Sequence, residues 1–325
     1  MIITVTLNPA LDKTVILPGF AVNTVNRVSA TRLDPGGKGI NVSKVVKALG
    51  GKTLVLGILG GAAGGFIQAA IDEMSLPNDM VLTKEITRTN IKIIDPLLQT
   101  NTDINEAGSP VSEATLETVW HKLTHAVQPG DTVVFAGKNP PGMPDERLAD
   151  WITRLHGKNV FSCVDTVGEP MRLAIDAKPD IIKPNREELS ELMGRRLTTD
   201  GEVKEAAQEL VHRGVGLVAA SLGSEGAIFV TQNQALRAYA PKVPMALDLD
   251  GDVKKLEAYY DKLVAEGLNP VLLVEKPQLF HGKNTHPIGE TDLAVAQNLF
   301  ENLRYLEKRY DYIIASFSSK TSFAQ

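Results

Sequence analysis

The feature that most constrains this chain is an alternation. From "MIITVTL" at the start to "GAIFVT" near residue 230, short β-branched runs take turns with segments of helical periodicity. "KTLVLGILG", "DTVVFAG", "NVFSCVD", "DIIKPN" and "GLVAASLG" read as strands. "FIQAAIDEM", "SEATLETVWHKLTHAV", "PDERLADWITRLHG", "PMRLAIDAK", "REELSELMG" and "DGEVKEAAQELVHRG" read as helices, the second with Ser112 as N-cap. The regular alternation of strand and helix predicts a doubly wound, mainly parallel α/β sheet, since a parallel connection must cross over the sheet. "TVILPG" and "NRVSATRL" follow the first strand without an intervening helix and predict a small appended sheet. After them Val42, Val45, Val46 and Leu49 mark one apolar helix face. Gly60 to Gly65 read as a glycine-rich turn before the next helix.

The charge pattern excludes some functions. A net charge of -5, a pI of about 5.8 and the lack of a basic run argue against nucleic-acid binding, which needs phosphate neutralisation. Any anion must be held by a local pocket. The only cysteine is Cys163, so no internal disulfide forms, and a reducing, cytoplasmic setting is expected. The start does not read as a signal peptide, and no apolar run reaches the ~18 residues of a membrane span.

Five motifs carry chemistry. "PGGKGIN" (Pro35 to Asn41) sets glycines and Lys38 before a helix, a place where backbone N–H groups approach a phosphate or polyhydroxy ligand. The same spacing serves a plain turn and helix cap. In "TLNPALD", Asp12 follows a strand beside Asn8, and a carboxylate there accepts two sugar hydroxyls or stays a solvated loop residue. In "TRTNIKI", Arg88, Asn90 and Lys92 alternate, so they share one strand face, and the Arg fork matches phosphate oxygens. In "IIKPNREEL" an apolar strand runs into Lys183 and Asn185, where open α/β sheets bind ligands. Lys183 suits a phosphate. Asn185 and Glu188 suit Mg²⁺, directly or through water, and also have capping-box spacing; both readings stand together. "SLGSEGA" is a glycine turn after an apolar strand, with Ser221, Gly223 and Gly226.

Taken in order, "TLNPALD", "PGGKGINVSKVVKALGG", "TRTNIKI", "VDTVGEP", "KPNREEL" and "SLGSEGA" resemble the ribokinase-like sugar kinases of the phosphofructokinase B type. Within that family the likeness is to the 1-phosphofructokinases, with tagatose-6-phosphate kinases close behind. It covers residues 1–244. The resemblance implies an α/β sandwich with a small β lid, from about residues 12–35 and 86–110, and related enzymes pair through such lids as homodimers. It implies that ATP with Mg²⁺ phosphorylates a ketohexose phosphate, fructose 1-phosphate going to fructose 1,6-bisphosphate. By position, Asp12, Gly37, Lys38, Asn41, Arg88, Asn90 and Lys92 match substrate residues. Asp165, Lys183, Asn185, Glu188, Ser221, Gly223 and Gly226 match nucleotide residues, with Asn185 and Glu188 toward the metal. In "AGKNPPG", Lys138 stands where the family usually has Ser; a phosphate contact and crowding of the substrate are both open there.

The match fails after Pro244. The family continues to a Gly-Ala-Gly-Asp segment, whose glycine N–H groups form an anion hole and whose Asp is the general base; phosphoryl transfer needs both. This chain has "MALDLDGDVKK" instead, one residue short. Asp252 takes the base position and Gly251 one close N–H, while Asp248 and Asp250 are added. At ~4 Å and an effective dielectric of ~20, each added carboxylate repels a unit phosphate charge by about 4 kcal/mol. The aspartates lack the order of a Ca²⁺ loop. The remainder, residues 245–325, reads as an atypical strand–helix–strand segment: "NPVLLVEK", a helix with Leu293, Ala296, Leu299 and Phe300 on one face, and "DYIIASF". His281, His286 and Glu290 read as solvated loop residues. Two rival readings follow, a relative that binds sugar phosphate or nucleotide without transfer, and a scaffold whose tail recruits a partner.

Overall fold

The structure, a computed structural model, describes residues 1–240, 244–248, 252–288, 302–303 and 305–316. The chain divides into two compact units, residues 1–43 with 52–238, and residues 44–51 with 239–325.

The elements up to residue 238 are β1 (Ile2–Thr6), β2 (Ala10–Ile16), β3 (Ala30–Gly36), α1 (Lys38–Ala48), β4 (Thr53–Gly60), α2 (Gly61–Glu73), β5 (Val81–Thr83), β6 (Arg88–Asp95), β7 (Thr100–Asn105), α3 (Glu113–Ala126), β8 (Thr132–Ala136), α4 (Arg147–His156), β9 (Phe161–Asp165), α5 (Glu169–Asp176), β10 (Ile181–Ile182), α6 (Arg186–Met193), α7 (Asp200–His212), β11 (Leu217–Ser221), β12 (Ala227–Thr231) and β13 (Ala235–Ala238). Nine strands bond in the order β13-β12-β11-β10-β9-β8-β1-β4-β5. All pairings from β11 to β5 are parallel; β12 and β13 close one edge antiparallel. A second sheet, β3-β2-β6-β7, forms the lid.

Alternation along the central strands decides which helix covers which face. Ile3, Val5 and Leu56 enter one cluster with residues of α3, α4, α5, α6 and α7, with Trp151 fully buried at its centre. Trp120 stacks on Trp151 with ring centroids 5.5 Å apart. Val55 and Leu59 face the other way, onto Ile40 of α1 and Ile67 and Ile71 of α2. Thr4 also faces α1. Its hydroxyl lies 2.8 Å from that of Ser43, which lies 2.6 Å from that of Thr53, a buried three-hydroxyl relay fastening α1 to β1 and β4.

The structure corrects several local expectations. The core-facing residues of α1 are Gly39, Ile40 and Ser43, whereas Val45 and Leu49 are half-exposed. Close approach of the helix to β1 selects small residues and overrides the apolar spacing. The glycines from Gly61 form the first turn of α2, not a loop. Asp12 is inside β2 rather than in a loop. β7 is fully exposed and polar but for Ile104, so it carries no alternation to read.

The second unit contains β14 (Met245–Asp248), α8 (Val253–Ala265), β15 (Pro270–Val274), β16 (Thr285–Pro287) and β17 (Tyr312–Ser316), as an all-parallel sheet in the order β14-β17-β15-β16. Leu272, Val274 and Ile314 pack on Leu256, Tyr260 and Leu263 of α8. Val271, Leu273, Ile313 and Ala315 pack on Leu303 and Leu306. Both faces of this sheet are therefore covered. The expected helix face of Leu293, Ala296, Leu299 and Phe300 lies outside the described residues, as do Glu290, Asp250 and Gly251. His286 is not a free loop residue: it stacks on Tyr305 and its Nε2 lies 3.2 Å from Asn302 Oδ1. No described helix is long and apolar enough to cross a membrane.

Ser43→Ala leaves the buried hydroxyls of Thr4 and Thr53 without the partner they share. The expected cost is about 1–3 kcal/mol in the unfolding free energy, read as a lower urea midpoint; an unchanged midpoint would show that the relay contributes nothing.

Candidate active site

Parallel pairing sets the carboxyl ends of β1, β8, β9, β10 and β11 on one rim, and every sequence motif of the first unit meets that rim or the lid. The helix α1 begins there. A Cβ on Gly39 would stand 2.2 Å from Thr6 Oγ1, and Gly37 has φ +136°, so the chain reaches the end of β1 only because these residues lack side chains. Asn41 sits in the first turn of α1, its N–H donating to Gly37 O at 3.0 Å and its side chain exposed.

Lys38 Nζ lies 2.8 Å from Asp165 Oδ1, and Lys183 Nζ lies 3.4 Å from Asp165 Oδ2. One carboxylate at the end of β9 thus spans the lysine of the "PGGKGIN" turn and the lysine of the "KPN" turn. Ser221 N–H donates to Pro184 O at 2.9 Å, and Ser221 bridges to Asn185, which joins the last two motifs. The turn after Ser221 is a single 3₁₀ turn, closed by Leu222 N–H to Gly226 O at 2.8 Å, with positive φ at Gly223 and Gly226.

Asn185 and Glu188 form a reciprocal capping box: Asn185 Oδ1 accepts from Glu188 N–H, and Glu188 Oε2 accepts from Asn185 N–H, both at 2.8 Å. The box leaves Glu188 Oε1 free. Glu188, Glu191 and Thr166 border a cavity of about 200 Å³. Among the described residues no three His, Cys, Asp or Glu side chains converge on a point. This donor set suits Mg²⁺, which keeps several waters and takes one or two protein oxygens plus phosphate.

On the lid, Asp12 and Asn90 are register partners, and Asn90 Nδ2 donates to Asp12 Oδ1 at 2.9 Å. Arg88 is half-committed. Its Nε and Nη2 donate to Asn8 O at 3.2 and 3.1 Å, and its Nη1 donates to Glu106 O at 2.9 Å, which leaves two of the five N–H donors. Burial pulls its guanidinium below the ordinary value, with Asp12 and Glu106 opposing. Lys92 faces Asp103 of β7 at 4.0 Å, both exposed. Asp252 belongs to the second unit. There its carboxylate caps α8, accepting from Lys254 N–H at 2.9 Å and Lys255 N–H at 3.3 Å.

Residues that sequence reasoning passed over also collect here. Five side-chain atoms among the described residues are buried without a partner, and four of them belong to Thr6, Asn90, Asn139 and Thr166, at the rim or the lid. A buried orphan costs about 1–3 kcal/mol, so such a concentration marks where a polar ligand or its waters complete the bonding. Thr166 and Asn139 stand inside motifs read for Asp165 and Lys138, and nothing in their spacing announces burial. Lys138 is exposed and has no ion pair among the described residues; Gly137 N–H, donating to Asp165 O at 2.9 Å, ties its turn to β9. Cys163, two residues before Asp165, sits in surroundings that disfavour its thiolate. Burial first and Asp165 second push its thiol up to about 11, with Lys183 opposing.

A doubly wound sheet, a β lid, and two lysines sharing a carboxylate beside a glycine-opened helix N-terminus define a phosphate-handling α/β enzyme. Residues 5–245 match the pfkB family carbohydrate kinases, and the chain belongs to that family. It is 39% identical over 246 residues to the 1-phosphofructokinase of Rhodobacter capsulatus, covering 75% of this chain and 78% of the relative. It is 35% identical over 242 residues to that of Vibrio cholerae, covering 74% and 76%. Among solved structures, phosphofructokinase-2 of Escherichia coli in complex with fructose-6-phosphate superposes with a TM-score of 0.72 at 28% identity, covering 82% of this chain and 87% of that one.

Iodoacetamide at pH 8 is expected to leave Cys163 unmodified in the folded protein and to alkylate it fully in denaturant, as read by intact mass. Rapid modification of the native protein would show that the thiol is open and reactive.

Proposed function

We propose that this carbohydrate kinase transfers the γ-phosphoryl group of ATP to a ketohexose phosphate, converting fructose 1-phosphate to fructose 1,6-bisphosphate. The observation that carries the reading is the Lys38–Asp165–Lys183 bridge, which brings a sugar-side and a nucleotide-side cation to one carboxylate. The 35–39% identity to proteins named 1-phosphofructokinase supports the choice of substrate.

In this reading Asp12 and Asn41 accept and donate to sugar hydroxyls, and Asn90 offers its free Oδ1 to one of them. The two remaining donors of Arg88, with Lys92 and Lys138, meet the phosphate already on the sugar. Gly37 lets backbone approach the substrate, and Lys38 faces anionic oxygens at the helix N-terminus. Lys183 meets the ATP phosphates, and Ser221, Gly223 and Gly226 line the nucleotide. Asn185 and Glu188, with water, would hold Mg²⁺, which would supply charge neutralisation at the ATP phosphates. The attacking hydroxyl gives its proton to a carboxylate as its oxygen bonds to the γ-phosphorus, and the bond from that phosphorus to the bridging oxygen breaks to release ADP. By its place in the sequence, Asp252 is that base. A cytoplasmic setting belongs to the same reading.

ADP release with Mg²⁺-ATP is expected with fructose 1-phosphate and not with fructose 6-phosphate. Preference for tagatose 6-phosphate would move the substrate assignment. No turnover, with sugar-phosphate binding intact by calorimetry, would favour the binding-only relative, which the replaced glycine loop also favours. Asp252→Asn is expected to lower kcat at least a thousandfold. Because Asn caps helices about as well as Asp, helix loss would not explain the result; a fully active variant would place the base elsewhere.

A second copy of the chain is the partner proposed for the lid. Leu33 and Ile104 are exposed on the lid face opposite Asp12 and Asn90, across the register Leu33–Lys13–Ile91–Ile104. Sedimentation is expected to show a dimer that Ile104→Glu converts to a monomer; a wild-type monomer at micromolar concentration would remove the proposal.

A further inference from the structure

Outside the catalytic rim, α3 carries an exposed pair of histidines one turn apart, His121 and His125. Their rings lie side by side with centroids 4.0 Å apart and planes 35° from parallel. His125 Nδ1 lies 2.9 Å from the backbone oxygen of His121. A carbonyl oxygen only accepts, so the contact requires the proton on Nδ1, and the lone pair of the neutral ring is left on Nε2. Donation of the second ring nitrogen to a carbonyl is the arrangement that fixes tautomer and orientation in metal-bound histidines. The helix beneath is rigidly seated, since Leu116, Val119, Trp120 and Leu123 of the opposite face are all buried. Two imidazoles at i and i+4 on one helix face are a recurrent chelating spacing.

We propose that His121 and His125 form a surface chelate for a borderline divalent transition ion, of the class Cu²⁺, Ni²⁺ or Zn²⁺. Two ring nitrogens bind it, and water fills the other positions. The neighbouring charges supply no third ligand. Glu117, one turn before His121, is taken by Arg147 at 3.0 Å, and Lys122 is paired with Asp79. Among the described residues no group of three or more His, Cys, Asp or Glu stands ready to hold a metal, which gives the site an open sphere and moderate affinity. Imidazole donors rank the ions with Cu²⁺ tightest and exclude Mg²⁺, a hard ion that prefers oxygen. The pair therefore does not compete for the Mg²⁺ of phosphoryl transfer. A bound ion would link two successive turns of α3 and stabilise the folded chain by mass action.

The test uses the full-length protein without nucleotide. Calorimetric titration with Zn²⁺, Ni²⁺ and Cu²⁺ is expected to show one ion per chain, Cu²⁺ tightest, with a matching rise in melting temperature and none with Mg²⁺. His121→Ala and His125→Ala should each weaken binding at least tenfold, and the double variant should lose the melting shift. Both positions are exposed, so folding and kinase turnover should be unchanged. Wild-type affinity in the double variant, or no binding by the wild type, would overturn the proposal.

Discussion

The carboxylate of Asp165 is the interaction on which the catalytic rim depends. It ends β9, faces Lys38 at 2.8 Å and Lys183 at 3.4 Å, and its backbone oxygen accepts from Gly137. Three separate stretches of chain therefore converge on one residue. Without it, Lys38 and Lys183 would repel each other across the rim. With it, two cations and one anion leave a net positive centre suited to anionic oxygens, and an arriving phosphate can take over either lysine.

That arrangement requires the helix α1 to come unusually close to β1. Small residues do the work, with Gly39 against Thr6 and Ser43 in the hydroxyl relay with Thr4 and Thr53. A polar seam in a core is tolerated because each hydroxyl has a partner. At the rim the rule is relaxed, and Thr6, Asn90, Asn139 and Thr166 keep an unmatched atom. Those open bonding positions are where the proposed sugar-phosphate substrate would complete the hydrogen bonding.

The second unit shows different logic. Apart from residues 44–51 it is built from Tyr239 onward, and the family match ends at residue 245. From there the chain builds its own all-parallel sheet with a core on each face. Asp252, the residue aligned by position with a catalytic base, is bonded to the first turn of α8. Capping and base catalysis both call for an ionised carboxylate at a helix N-terminus, so the local structure is compatible with either use.

Much of the first unit was legible because its signals are local. Apolar runs such as those of β4 and β8, the Ser112 cap and the Asn185–Glu188 box depend on neighbours within a few residues. The strand face shared by Arg88, Asn90 and Lys92 follows from a period of two. What stayed hidden depends on distant partners. The exposed Val45 and the buried Gly39 of α1 reverse the apolar pattern because β1 lies close beneath. β7 is exposed and polar except for Ile104, and it pairs along β6. Arg88 reads as a phosphate fork, yet three of its donors go to the backbone of Asn8 and Glu106. The sequence by itself determined the alternation, the family and the order of the motifs, since these rest on periodicity and residue chemistry. Only the tertiary structure decided which charges meet at Asp165 and which polar atoms are left open, because residues more than a hundred positions apart become neighbours only when parallel strands are set side by side.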